Sequence, residues 1–226
     1  KRQSDVRVIA RAVYRANGPG YVETGRRGHV WTLDVPAKPG STARPRQVTS
    51  GEFDETVPAW SPDGREIYFV SSRIKEPYYE PPRADLFKVS ASGGEPVKVA
   101  SLDGSIGDFG FSPDGKSIAF RGSLNGKPVR SYNQPDLFVV DNAPGALPRN
   151  LTAGYDFDIG AGLTGDQRAP RGGQPSEALW SRDGKSILVV AGENGRANLK
   201  RVDVATGKVE PFTSGDQEIV AYTASA

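Results

Sequence analysis

Ala59-Trp60-Ser61-Pro62-Asp63-Gly64 returns as Gly110-Phe111-Ser112-Pro113-Asp114-Gly115 and again as Leu179-Trp180-Ser181-Arg182-Asp183-Gly184. Each copy leads an aromatic residue into a Ser-Pro/Arg-Asp-Gly turn, and an apolar run follows at 66–70, 116–120 and 185–190. Proline restricts φ to the value a type I turn needs and pushes the serine before it into an extended conformation. Asp hydrogen-bonds the local backbone, and Gly takes the left-handed conformation that closes the hairpin. At the third copy Arg182 stands for proline, while Asp183-Gly184 is kept. Three such hairpins in equivalent surroundings mark a repeat architecture.

A second phrase recurs between the turns: His29-Val30-Trp31, Asp85-Leu86-Phe87, Asp136-Leu137-Phe138 and Asn198-Leu199-Lys200. After each comes another short strand, at 46–49, 96–99, 149–152 and 209–213. The unit therefore has four strands. Val30, Leu86, Leu137 and Leu199 are separated by 56, 51 and 62 residues, the scale of a β-propeller blade of about 40–50 residues. A sandwich also uses many short strands, but it does not predict one recurring four-strand phrase.

The fold class expected is thus all-β: a partial propeller of about three complete blades and two incomplete ones. The complete blades fall at 56–100, 107–153 and 177–214. The partial ones lie at 1–50, with strands near 5–13, 29–35 and 45–49, and at 215–226. Trp60, Phe111 and Trp180 share one repeated position and are expected in the core between blades. Long connections at 15–28, 71–84, 121–135 and 153–176 are expected on one face of the disc, which makes that face the working one.

Composition agrees. Glycine (27) and proline (18) form about a fifth of the 226 residues and fall between the apolar runs, and no helical periodicity is sustained. With 29 basic and 27 acidic side chains well mixed, the net charge of +2 describes no polyanion-binding surface, so no nucleic-acid partner is expected. Zero cysteines remove disulfides and thiolate metal sites, and fit a cytoplasmic location. No apolar run is long enough to span a membrane. The chain lacks methionine and begins Lys1-Arg2-Gln3, which reads as a piece of a longer parent. An open arc would leave apolar sheet faces for the rest of that parent or for a second copy, a homo-oligomer.

Chemistry is sparse. His29 is the only histidine, opens a strand, and has no Gly-x-Ser-x-Gly companion, so no nucleophilic triad is expected here. One histidine and no cysteine leave no conventional zinc site. Asp156-Phe157-Asp158-Ile159-Gly160 lacks the further ligands of a calcium loop. No metal, cofactor or catalytic residue is expected. Two loops suit substrate or domain contact. Residues 73–83 carry Tyr78 and Tyr79 between prolines, and residues 165–173 carry Arg168 and Arg171, side chains suited to gripping a carboxylate.

The phrase Trp-Ser-Pro-Asp-Gly-x-x-Ile followed by Asp-Leu-Phe-x-Val resembles two groups of propellers. One is the regulatory propeller of the prolyl oligopeptidase family of serine peptidases, and the other is the TolB-like periplasmic propeller, a non-enzymatic interaction module. Residues 5–15, 82–87 and 134–162 are similar to the acylaminoacyl-peptidase (acyl-peptide hydrolase) branch of the first group. That resemblance implies an N-terminal propeller over a C-terminal α/β-hydrolase domain. The hydrolase would hold the triad, and it lies outside these residues. It also implies that the propeller limits access to short or acylated peptides. The dipeptidyl-peptidase branch holds its substrate's amino terminus with a pair of propeller glutamates. No Glu-Glu pair occurs here, and Glu76 and Glu80 are separated by Pro-Tyr-Tyr.

Overall fold

Each Asp-Gly turn closes a hairpin, and the serine in front of it makes the closure. Ser61 Oγ donates to Asp63 Oδ1 at 2.7 Å and accepts from the Glu66 amide at 2.9 Å. The same pair of bonds recurs from Ser112 to Asp114 and the Ser117 amide, and from Ser181 to Asp183 and the Ser186 amide. Gly64, Gly115 and Gly184 sit at φ 68°, 69° and 67°, in the left-handed region that glycine enters without steric cost. The serine hydroxyl leads the causes that hold the Asp63, Asp114 and Asp183 carboxyls below their ordinary value of 3.8. With the folded value depressed, this contribution persists at neutral pH and is lost as pH falls through the acid range.

The computed structural model describes residues 6, 8–16, 20–22, 25–36, 38, 42–130, 132–160, 163 and 178–223. All regular elements among them are strands. Two ribbons come first, β1 (Arg15–Ala16) with β2 (Gly20–Tyr21) and β3 (Trp31–Thr32) with β4 (Arg46–Gln47). Blade one is the antiparallel order β5 (Glu55–Trp60), β6 (Glu66–Ser71), β7 (Asp85–Ser90), β8 (Val97–Ala100). Blade two repeats it with β9 (Gly104–Phe111), β10 (Ser117–Leu124), β11 (Pro135–Asp141) and β12 (Arg149–Asn150).

Blade three has its first strand in two pieces, β13 (Asp158–Ile159) and β14 (Leu179–Trp180), both paired with β15 (Ser186–Glu193). Strands β16 (Arg196–Asp203) and β17 (Val209–Pro211) complete it. The sheet therefore starts at Asp158 rather than at 177. Residues 160–178 are an insertion within its first strand, not a connection between blades as their length suggested. In blades one and two the same place is a register shift, between Thr56 and Ala59 and opposite Phe120–Gly122. A bulge already leaves residues unpaired, so extra chain enters there at the loss of a single ladder pair, the counterpart of Phe109 opposite Phe120.

The second strands read as unbroken apolar runs because both faces of each sheet are covered. Along β6, Ile67 and Phe69 join Val30, Val48, Phe87 and Val89 in a cluster against the β3–β4 ribbon. Tyr68 and Val70 point the other way, into a cluster with Ile106, Phe109, Ile118 and Phe120 of blade two. Ala119, Leu137 and Val139 of blade two then meet Ile187, Val189 and Val202 of blade three. Each such fully buried side chain stabilises the stack by about 1.5–3 kcal/mol.

Blade junctions share polar contacts too. The first strands of blades one and two begin against the start of the preceding third strand, Glu55 N to Gly28 O at 2.7 Å and Ile106 N to Ala84 O at 2.8 Å, and after blade three Ile219 N meets Ala197 O at 2.9 Å. At the rim, Arg46 reaches the Ala91 carbonyl (2.5 Å), Tyr68 the Asn142 side chain (2.9 Å) and Arg149 the Val204 carbonyl (2.6 Å).

Three expectations need correction. Residues 8–14 form no strand; Val8 and Ile9 are exposed, and only Arg15–Ala16 pairs, with Gly20–Tyr21. Residues 219–223 also form no strand, although Glu218 bridges Ala197 and both Ile219 and Tyr222 pack on Val190, Ala197 and Leu199. Trp60 is 53% exposed instead of buried. Its equivalents each lean on a first or second strand of the preceding sheet. Trp180 Nε1 donates to Gly110 O at 3.1 Å, and Phe111 packs edge-on against Tyr68 at 4.9 Å. Before blade one, the described residues supply only the two-stranded ribbons β1–β2 and β3–β4.

Since Pro62 and Pro113 occupy the place of Arg182 with the same turn bonds, Arg182→Pro is expected to stabilise the protein by about 0.4–1 kcal/mol. Urea denaturation of the two proteins reads this out as a higher midpoint at unchanged slope.

Candidate functional site

The long-loop face is floored by the starts of the third strands and the ends of the fourth. There one polar lock is used repeatedly. In blade two, Thr152 Oγ1 donates to Asp136 Oδ1 at 2.8 Å and accepts from the Leu137 amide at 3.0 Å, while Asn150 Nδ2 donates to Asp136 Oδ2 at 2.8 Å. Blade three repeats it with Thr213, Asn198 and the Leu199 amide. The β3–β4 ribbon does so with Thr49 and the Val30 amide at 2.9 Å. Blade one has Ala100 where the threonine belongs. Lys98 still meets Asp85 Oδ2 at 2.6 Å, but Asp85 Oδ1 is buried without a partner among the described residues.

Where the ribbon has His29 in place of the aspartate, the carboxylate comes from the next blade. Glu55, with a fully buried side chain, sits 2.6 Å from His29 Nδ1, accepts from Thr49 Oγ1 at 2.9 Å, and pairs with Arg73 at 3.2 Å. The Arg73 guanidinium lies 5.0 Å from the Phe53 ring centre and 4.9 Å from that of Phe87. Stacking, a buried counter-ion and a shared histidine fix this arginine at the base of the 71–84 loop.

Between blades two and three the same face carries tyrosines. Tyr132 hydrogen-bonds Asp158; burial first, and then that carboxylate, push its hydroxyl up to about 12. Tyr155 hydrogen-bonds Glu193, which also takes Lys200 Nζ at 2.5 Å. Burial raises the Tyr155 hydroxyl above its usual range, and its bond to Glu193 adds to that. For Glu193 burial acts upward, but the bonds from Lys200 and Tyr155 outweigh it and the carboxyl is held low. Gln134 Nε2 ties the Tyr155 and Phe157 carbonyls to the 121–135 loop.

Of the expected contact residues, Tyr78 and Tyr79 stand well exposed (68% and 75%), packed edge-to-face at 5.1 Å. Arg168 and Arg171 lie outside the described residues. Asn125 Nδ2 bonds the Pro82 carbonyl at 3.1 Å, joining the loop that carries the tyrosines to the next long loop. Sequence reading passed over Glu55, Arg73 and the lock threonines. The threonines carried a visible signal, since Val48-Thr49, Leu151-Thr152 and Phe212-Thr213 occupy one place in the repeat.

His29 is held by Glu55, and no cluster of His, Asp or Glu among the described residues is arranged to hold a metal ion.

Comparison with known proteins agrees with this architecture. Residues 17–128 match the family described as the dipeptidyl peptidase IV (DPP IV) N-terminal region. The chain has curated relatives among the peptidases. It is 33% identical over 170 residues to dipeptidyl-peptidase 5 of Porphyromonas gingivalis, a match covering 73% of this chain and 22% of that protein. Over 76 residues it is 40% identical to the uncharacterized peptidase YuxL of Bacillus subtilis, covering 34% of this chain and 11% of that one. The chain thus spans less than a quarter of the curated relatives it matches. In fold it is similar to puromycin hydrolase, with a TM-score of 0.60 at 18% identity over 89% of this chain and 30% of that one. It is also similar to TolB from Acinetobacter baumannii, with a TM-score of 0.50 at 25% identity over 76% and 35% of the two chains.

Ala100→Thr is expected to satisfy Asp85 Oδ1 and stabilise the protein by about 1 kcal/mol, seen as a higher thermal midpoint. The reverse change in an intact lock, Thr152→Ala, is expected to lower it. Glu55→Ala leaves Arg73 and His29 without their buried carboxylate. Its expected cost is about 3–5 kcal/mol in chemical denaturation, the largest of the three effects.

Proposed function

We propose that this chain is the non-catalytic propeller portion of an oligopeptide-cleaving serine peptidase of the acylaminoacyl-peptidase kind, acting in the cytoplasm. Its long-loop face docks a C-terminal α/β-hydrolase domain, and its loops admit short or acylated peptides while excluding folded chains. Selection is by size before chemistry. The match of residues 17–128 to the N-terminal region of dipeptidyl peptidase IV, together with the four-stranded sheets, carries the reading. Two features of the chain support it. The single histidine is engaged by Glu55, so hydrolysis needs groups from elsewhere. The exposed Tyr78–Tyr79 pair on a loop anchored by Arg73 suits a contact rim.

The likeness to TolB at 25% identity favours a second reading, a non-enzymatic interaction propeller. One experiment separates them. The chain alone, purified free of host peptidases, is expected to turn over no acyl-aminoacyl or oligopeptide anilide. The complete protein from the same reading frame is expected to do so through a Gly-x-Ser-x-Gly serine, and to cleave short peptides in preference to long ones. Turnover by the chain alone would overturn the non-catalytic assignment. A complete protein without turnover and without that serine would leave the interaction propeller.

A further inference from the structure

The repeat departs from its own pattern at two places, and the two meet at a single hydrogen bond. Val70, Arg121 and Val190 occupy one position of the second strand, each opposite the third-strand leucine: Leu86, Leu137 and Leu199. Val70 and Val190 pack into the apolar clusters that join sheets. Arg121 brings a guanidinium to that place. Its Nη2 lies 2.6 Å from Asp108 Oδ2, in the bulge of β9, and its Nη1 donates to the Gly160 carbonyl at 3.0 Å.

Gly160 is where the second departure begins. Ile106 opposite Gly122 corresponds to Ile159 opposite Ala191, and Gly110 opposite Ala119 corresponds to Leu179 opposite Leu188. Between those matched pairs blade two has Gly107, Asp108 and Phe109, whereas blade three has residues 160–178. This insertion begins directly after Ile159, the last residue of β13. Its first residue is fixed closely. Gly160 has φ 76°, its amide donates to the Val190 carbonyl at 2.7 Å, and a Cβ there would stand 2.6 Å from Arg121 Nη1. Further on, the Leu163 amide donates to Glu218 Oε1 at 2.8 Å.

Stability does not account for the arginine. Arg121 and Asp108 are 38% and 41% exposed, a setting in which an ion pair is worth little, and the repeat fills the position with valine elsewhere. Sites where a sequence breaks its own local rule are typically functional. We infer that Arg121 is a positioning residue: with Asp108 as its counter-ion, it holds the Gly160 carbonyl and so fixes the chain at the end of β13 against blade two. The pair places a constraint from blade two on a segment of blade three, which couples the insertion's root to the junction between the blades.

The repeat supplies the control variant. Arg121→Val installs the residue found at both equivalent positions, so the full chain is expected to keep its thermal midpoint within about 2 °C. Amide hydrogen exchange, read residue by residue, is expected to rise about tenfold at Gly160 and Leu163 while the amides of β10 and β15 hold their rates. Asp108→Asn, which keeps the bond from Nη1 to Gly160, is expected to give a smaller rise at the same two amides. Unchanged exchange at Gly160 and Leu163 in Arg121→Val would overturn the inference. So would a rise shared equally by β10 and β15, or a fall in the midpoint well beyond 2 °C, since either would make Arg121 a general support of the sheet.

Discussion

A four-stranded sheet of this size has no interior of its own, so both of its faces must be covered by other sheets. That constraint runs through the molecule. It explains why β6 and β10 are buried on both sides and read as continuous apolar runs, with Ile67 and Phe69 serving one junction and Tyr68 and Val70 the next. It also explains why neighbouring sheets are stitched by polar bonds, the Glu55 and Ile106 amides where two of the first strands begin and the Arg46, Tyr68 and Arg149 contacts at the rim. Trp60 shows the same rule in reverse. With only the two-stranded ribbons β1–β2 and β3–β4 before it among the described residues, a tryptophan built for a junction stands exposed.

The two faces of the stack are built differently. On the short-turn face, a serine and an aspartate lock each Asp-Gly hairpin in the same geometry, which leaves little room for variation. On the opposite face the Asp/Asn–Thr lock secures only the strand ends, and loops of any length can depart from it. Glu55, Arg73 and His29 show how such a floor is adapted. The aspartate of the lock is replaced by histidine, and a carboxylate from the next blade enters to satisfy it. The buried charge and the stacked arginine then stiffen the base of the loop that carries Tyr78 and Tyr79.

A repeat also makes its exceptions informative. Ala100 in place of threonine leaves Asp85 Oδ1 unsatisfied, a local defect with an energetic cost. Arg121 in place of valine is a different kind of exception, because its donors are used by Asp108 and by a carbonyl of another blade. The first weakens a lock that its neighbours keep; the second adds a bond that no other blade has.

The all-β class and the four-strand phrase were legible in the chain because turn chemistry and strand patterning are local. Ser-Pro-Asp-Gly dictates a hairpin wherever it stands, and an apolar run bounded by such turns has few alternatives. The exposed tyrosine pair was legible for the same reason, lying between prolines in a loop too polar to bury. Position in space was not. Residues 153–176 read as a connection between blades, and only the pairing of Asp158–Ile159 with β15 shows that the stretch interrupts a strand. Glu55 fell just ahead of the blade expected at 56–100, and Arg121 read as the first residue of a long connection. Their partners lie 26 and 39 residues away, and only the packing of one sheet on the next brings those groups within bonding distance.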